Sequence, residues 1–145
     1  MDEVEIRDVG EADIPAIVRL LNNGNLDTFA KTSSEILWKN YVHNPDQYVV
    51  VAQIGNTVLG TAALLVERKF RHGGSAVGHI EDVAVEYSYQ SKGLGKSLIK
   101  HLMAIARREG CYKVVLDCTA KNIPFYIKCG FEVDQFCMRI NPGTC

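Results

Sequence analysis

The chain has 145 residues, 47% of them hydrophobic and 23% charged, with a formal net charge of −1. That length suits one domain, residues 1–145, with a core of its own. The near-neutral balance leaves no basic footprint for nucleic acid and no polybasic segment for a membrane surface, and no apolar run approaches the length of a bilayer span.

The chain opens on MDEVEIRDV, which is acidic and lacks the apolar stretch of a signal peptide. VEIRDV predicts a first strand. EADIPAIVRLLNN predicts a helix, with Ile14, Ile17, Val18 and Leu21 at helical spacing and Pro15 early enough to sit in the first turn. KTSSEILWKNYV predicts a second helix, capped by Ser33 or Ser34 and ended by Pro45. YVVVAQI and the long apolar TVLGTAALLVERK are strands joined by a tight turn at Gly55-Asn56. FRHGGSAVG reads as a glycine-rich loop and HIEDVAV as the next strand. A helix then runs to about Glu109, its buried stripe formed by Leu94, Leu98, Leu102, Ile105 and Ala106, with Gly110 just past its end. CYKVVLDC is a strand, NIPFYIKCG a short helix, and FEVDQFCMRI supplies one or two final strands. Antiparallel hairpins followed by a strand–helix–strand crossover predict an α+β fold: one central mixed, mostly antiparallel twisted sheet flanked by about four helices.

The five cysteines, Cys111, Cys118, Cys129, Cys137 and Cys145, form no C-x-x-C pair, and no metal-ligand set is legible. An odd count without a leader predicts reduced thiols in a reducing, cytoplasmic compartment. Such thiols act as small buried hydrophobes, with a loose one at the terminus. The end NPGTC is neither a peroxisomal tripeptide nor a prenylation box.

The stretch YQSKGLGKSL, residues 89–98, combines the ends of two phosphate-binding motifs and completes neither. A P-loop requires glycine where Gln90 stands, and a dinucleotide fingerprint requires it where Leu98 stands. The loop still lies between a strand and a helix, so its N–H groups and the helix dipole can meet an anion. On glycine spacing alone, an anion site and a plain turn are equally good readings.

The longer segment VAVEYSYQSKGLGKSLIKHLM resembles the cofactor signature of the GNAT N-acetyltransferases, whose loop reads Gln/Arg-x-x-Gly-x-Gly/Ala and here reads Gln90-Ser91-Lys92-Gly93-Leu94-Gly95. With ERKFRH, GHIEDVAV, GCYKVVLDC and NIPFYIKCGF in the same order, the chain is similar to one branch, the eukaryotic-type glucosamine 6-phosphate N-acetyltransferases. The likeness covers nearly the whole chain and is strongest from about Glu67 to Phe131.

The resemblance implies the GNAT fold. It also implies transfer of acetyl from acetyl-CoA to the amine of D-glucosamine 6-phosphate in a direct ternary complex, feeding UDP-N-acetylglucosamine synthesis, with no metal. It implies a homodimer whose sugar site is shared between chains. It assigns the pyrophosphate to Ser91, Lys92, Gly93, Leu94, Gly95 and Lys96, and the pantetheine arm to the backbone of Val83, Ala84 and Val85. Tyr126 serves the departing thiolate, with Ile127 and Lys128 beside it on the cofactor side. Asp117 orients the amine, through its carbonyl or its carboxylate, and accepts a proton directly or by way of a water. Glu81 and Asp82 meet the sugar; on a regular strand they face opposite sides, so one is buried or a bulge intervenes. Lys69, His72 and Lys113 meet the phosphate.

Two positions depart from the branch. Asn141 stands where a partner-supplied Arg belongs, and Arg139, two residues earlier, is the substitute. Asn22 stands at the substrate edge where relatives carry Thr. Plainer readings accompany each residue: a strand-end cap for Asp117, a core or rim ring for Tyr126, and ion pairs between Glu81 or Asp82 and Lys69 or Arg71. The rival functions are an acetyltransferase for protein or polyamine amines and a non-catalytic acyl-CoA-binding module.

Overall fold

The computed structural model describes residues 3–23 and 33–144. One five-stranded sheet has the order β1-β2-β3-β4-β5, with β1 Val4–Asp8, β2 Gln47–Ile54, β3 Thr57–Arg68, β4 Ala76–Val85 and β5 Cys111–Val115. The first three pairings are antiparallel, and β4–β5 is parallel. Its helices are α1 Ile14–Leu21, α2 Ser34–Val42, α3 Leu94–Arg108 and α4 Ile123–Lys128. The mixed α+β layout matches the sequence reading.

Alternation along β2 separates two cores. Val50 and Ala52 pack with Leu64, Leu98, Ile99 and Leu102 beneath α3. Val51 packs with Val9 and Val58, joined by Ile17 and Leu20 of α1 and by Trp38 and Tyr41 of α2. The sheet is thus buried on both faces, which is why β2 and β3 read as nearly continuous apolar runs. Thr61, buried in β3, donates its hydroxyl to the Val50 carbonyl at 3.0 Å. Ser33 caps α2, accepting from the Ile36 N–H at 3.3 Å; of the segment assigned to this helix from sequence, residues 31–32 lie outside the described residues. Arg7 holds the entry to α1 by donating to both oxygens of buried Asp13, at 2.7 and 2.9 Å. These bonds hold the Asp13 carboxyl below its ordinary range, so their stabilisation is complete at neutral pH and fades as pH falls through that lowered value.

Three expectations need correction. The loop FRHGGSAVG is shorter than predicted, because β4 begins at Ala76 and Gly78 lies buried inside it. An added Cβ at Gly78 would lie 2.9 Å from Leu64 Cδ1 and 3.2 Å from Val114 Cγ2. The glycine answers close packing, not a turn. Residues 131–141 form no strand. A strand needs a partner for its backbone groups, and within one chain this segment pairs with none: Val133, Phe136, Met138 and Ile140 stand 67%, 93%, 94% and 66% exposed. The thiols are less buried than expected, since Cys118 and Cys137 are exposed and Cys111 and Cys129 only partly covered. Cys145 lies outside the described residues.

Replacing Gly78 with Ala should destabilise the fold by about 1–3 kcal/mol through overpacking. Urea unfolding checks this, and an unchanged midpoint would remove the packing explanation.

Candidate active site

The parallel ladder between β4 and β5 ends at His79 and Val115, although β4 continues to Val85. Past that point the outer edge of β4 has no strand beside it. A slot of about 320 Å³ opens there, lined by Ile80–Val83, Leu116–Thr119, Asn122, Tyr126 and, from the end of α1, Leu21. A larger cavity of about 610 Å³ lies at the opposite sheet edge between Arg7, Tyr48, His101 and Arg108. The smaller slot brings together the carboxylates of Glu81, Asp82 and Asp117 with the half-buried phenol of Tyr126, the groups that acyl transfer to an amine would use.

The pair Glu81-Asp82 is resolved by a bulge. Thr61 faces Ala84 and Ala63 faces Glu81, so Asp82 and Val83 together oppose Ala62. Asp82 takes left-handed backbone at φ 53°, a conformation that Asp tolerates better than most residues. The extra residue shifts the alternation: Ile80, Val83 and Val85 all reach the α3 core, while Glu81 and Asp82 are both exposed. Among the described residues neither carboxylate has an ion pair; Lys69 instead pairs with Glu67 at 3.1 Å, and His79 meets the same carboxylate at 2.9 Å. Those two neighbours, His79 first, hold Glu67 below the ordinary carboxylate range.

The phosphate-type loop is built as its glycines imply. Ser91 and Gly93 both take positive φ, 67° and 87°. Gly93 is the N-cap of α3 and no side chain caps that helix, so its first-turn N–H groups are free to meet an anion. Ser91, Lys92, Gly93 and Lys96 are exposed and Gly95 partly so, while the Leu94 side chain is core. Leu94 can therefore offer only its backbone. Lys92 Nζ lies 4.9 Å from the Tyr89 ring centre. Val83, Ala84 and Val85 lead from the slot toward this loop along the open edge of β4.

Tyr126 is the most enclosed titratable group of the slot. Its ring meets Phe125 and Phe131 edge to face, at 4.9 and 5.9 Å. Burial first, then nearby Cys118 and Cys129, raises its phenol above the ordinary value. Asp117 is exposed at the rim. The Cys137 thiol is hydrogen-bonded to that carboxylate, which, with Glu81 farther off, raises the thiol's pKa. The C-terminal segment therefore passes beside the slot.

Other residues assigned from sequence are not gathered there. His72 stacks on Tyr112 at 4.2 Å, and Lys113 Nζ lies 5.9 Å from the same ring. Lys113 is level with Val77, so this cluster lies roughly 13 Å along β4 from Glu81. Asn22 caps α1 beside Leu21, its amide donating to the Val18 carbonyl at 2.8 Å. Arg139 is exposed and donates to Asn141 Oδ1 at 3.2 Å. Ile127 and Lys128 are exposed on α4, outside the slot lining. Sequence reasoning missed Leu21, Cys118, Thr119, Asn122 and Cys137. Cys118 and Thr119 follow Asp117 directly and were within reach of that argument; Leu21 and Cys137 arrive only through the fold. Among the described residues no cluster of three or more metal-ligating side chains occurs, and no helix is long and apolar enough to cross a membrane.

An anion-ready loop and an open strand edge leading to a phenol and carboxylates suit an acyl-transfer enzyme that holds its donor along a sheet. The Acetyltransferase (GNAT) family model matches residues 14–131, and the chain belongs to that family. It is 39% identical over 144 residues to a glucosamine 6-phosphate N-acetyltransferase of Trypanosoma brucei brucei, with 96% of each chain covered. The solved glucosamine-6-phosphate N-acetyltransferase of Arabidopsis thaliana superposes with a TM-score of 0.85 at 27% identity, covering 97% of this chain and 99% of that one. A solved Trypanosoma brucei acetyltransferase also gives 0.85, at 38% identity and 96% and 99% coverage.

The raised phenol predicts a spectroscopic result. Tyr126→Phe should remove, from a titration of phenolate absorbance, a step lying above about pH 10. Loss of a step below that value would show that the phenol is not held in its neutral form by burial.

Proposed function

We propose that the chain transfers acetyl from acetyl-CoA to the amine of D-glucosamine 6-phosphate, giving N-acetylglucosamine 6-phosphate and CoA. The observation that carries this reading is the convergence of Asp117, Glu81 and Tyr126 on one slot at the open edge of β4. The names of near-full-length relatives point to the same substrate.

The backbone at Ser91–Lys96 takes the pyrophosphate, and the edge Val83–Val85 takes the pantetheine arm as an added strand would be taken. The sugar amine, oriented by Asp117, attacks the thioester carbonyl. A C–N bond forms, the C–S bond breaks, and one proton passes from nitrogen to sulfur overall. Asp117 or a water receives the amine proton, and Tyr126 donates to the departing thiolate and regains a proton from solvent. Much of the rate gain comes from holding two reactants in line.

Within one chain the slot carries carboxylates, while His72 and Lys113 lie toward the other end of β4 and Lys69 is paired with Glu67. The sugar phosphate therefore draws its cations from beyond this slot. A homodimer provides them: the exposed Val133, Phe136, Met138 and Ile140 give a second copy an apolar strip to cover, and Arg139 lies within it. The acidity of the slot also favours a second reading, in which the acceptor is a cationic polyamine or a lysine side chain.

Chromatographic acetyl-CoA consumption with glucosamine 6-phosphate, glucosamine, glucosamine 1-phosphate, spermidine and a lysine peptide separates the two. Strong preference for the 6-phosphate, from a protein that sediments as a dimer, is the expected result. Turnover of spermidine or peptide alone would establish the second reading. Acetyl-CoA binding without turnover of any amine would make the chain a binding module. Tyr126→Phe should lower kcat by roughly 100-fold or more with little change in acetyl-CoA affinity; unchanged turnover would remove the phenol from the mechanism.

A further inference from the structure

The two glycines of the loop are glycine for different reasons. Gly93 has φ 87° and open space where a Cβ would point, so it is required by its backbone. Gly95 has no such conformation; it lies in the first turn of α3. A Cβ there would sit 3.0 Å from Phe125 Cζ and 3.4 Å from Phe125 Cε2. The space that a side chain would use at residue 95 is filled by a ring from another helix.

That helix is α4, and the residue after Phe125 is Tyr126. Their rings meet edge to face at 4.9 Å. On its other side Tyr126 is tied to the chain beyond α4, because the Phe131 N–H donates to its carbonyl at 3.0 Å. Tyr126, Cys129 and Phe131 reach the main core. The Phe125 ring lies against the first turn of α3 at Gly95, where the donor's pyrophosphate is anchored. The donor spans the same interval, from pyrophosphate at the loop to sulfur at the phenol.

We propose that Phe125 is a positioning residue: by resting on Gly95 it fixes the distance between the phosphate-binding loop and Tyr126, and so aligns the phenol with the sulfur of a bound acetyl-CoA. The inference depends on Tyr126 serving the leaving group. A methyl group at residue 95 makes the ring give by a few tenths of an ångström and, with it, the start of α4. Because a misplacement of about 1 Å costs roughly 100-fold, a shift of this size lowers turnover roughly severalfold while leaving the backbone cradle for the pyrophosphate in place.

The test is a rescue. Gly95→Ala should lower kcat at least roughly threefold with the calorimetric Kd for acetyl-CoA little changed. Adding Phe125→Leu, which removes Cζ and Cε2, should bring kcat back to that of Phe125→Leu alone. A Gly95→Ala protein whose acetyl-CoA Kd rises at least roughly tenfold, with no rescue, would show that the glycine admits the cofactor and would overturn the proposal. Unchanged kcat in Gly95→Ala would overturn it too. Phe125→Leu, at a half-exposed site, supplies a second variant: kcat should fall at constant Kd, and Phe125→Tyr should restore it. If the wild type acetylates no amine, the functional reading fails by itself, and the Tyr126 phenol titration still reads the contact. Gly95→Ala and Phe125→Leu should each then move that step toward the ordinary phenol range, whereas an unmoved step in either would overturn the proposal.

Discussion

Everything at the candidate site depends on the early end of one ladder. β4 and β5 pair in parallel only as far as His79 and Val115, and β4 then runs on to Val85 paired with β3 only. Unpaired backbone groups at a strand edge must find a partner or water. Here they border a slot whose far wall is the chain leaving β5 together with α4. The bulge at Asp82 lets this happen without losing the core. It moves two carboxylates to the exposed face while Val83 and Val85 rejoin the packing beneath α3.

The same region shows how one short stretch can hold opposite chemistries. Glu81, Asp82 and Asp117 remain exposed at the rim. Tyr126, nine residues beyond Asp117, is flanked by Phe125 and Phe131, and burial raises its phenol above the ordinary value. In the proposed reaction the acceptor amine would be positioned by charge and the departing thiolate met by a neutral donor. The positive pole of α3 stands at the other end of the open edge, where a diphosphate would be held without a metal of the P-loop kind.

Much of this was legible in the sequence because it is local or periodic. The apolar stripe of α3, the Gly55-Asn56 turn, the cap at Ser33 and the alternation through YVVVAQI each follow from a few neighbouring residues. The adjacency of Glu81 and Asp82 was enough to require a bulge or a buried acid, and the bulge is what forms. The misreadings concern contacts that lie far apart in the chain. Gly78 resembles the loop glycines before it, yet its reason is Leu64 and Val114 across the sheet. Residues 131–141 alternate enough to read as strand, but a strand also needs a partner, and within one copy this segment joins none of the free sheet edges. Gly95 reads as part of a phosphate motif, and the ring that occupies its side-chain space belongs to a helix about thirty residues on.

If acetyl-CoA lies along the open edge of β4, from the loop before α3 to Tyr126, amide hydrogen exchange with and without acetyl-CoA will show new protection at Val83, Val85 and residues 93–96. Arg7–Val9, beside the larger cavity at the other sheet edge, should change little. Protection at that cavity, with the β4 edge and the loop exchanging as before, would contradict this placement.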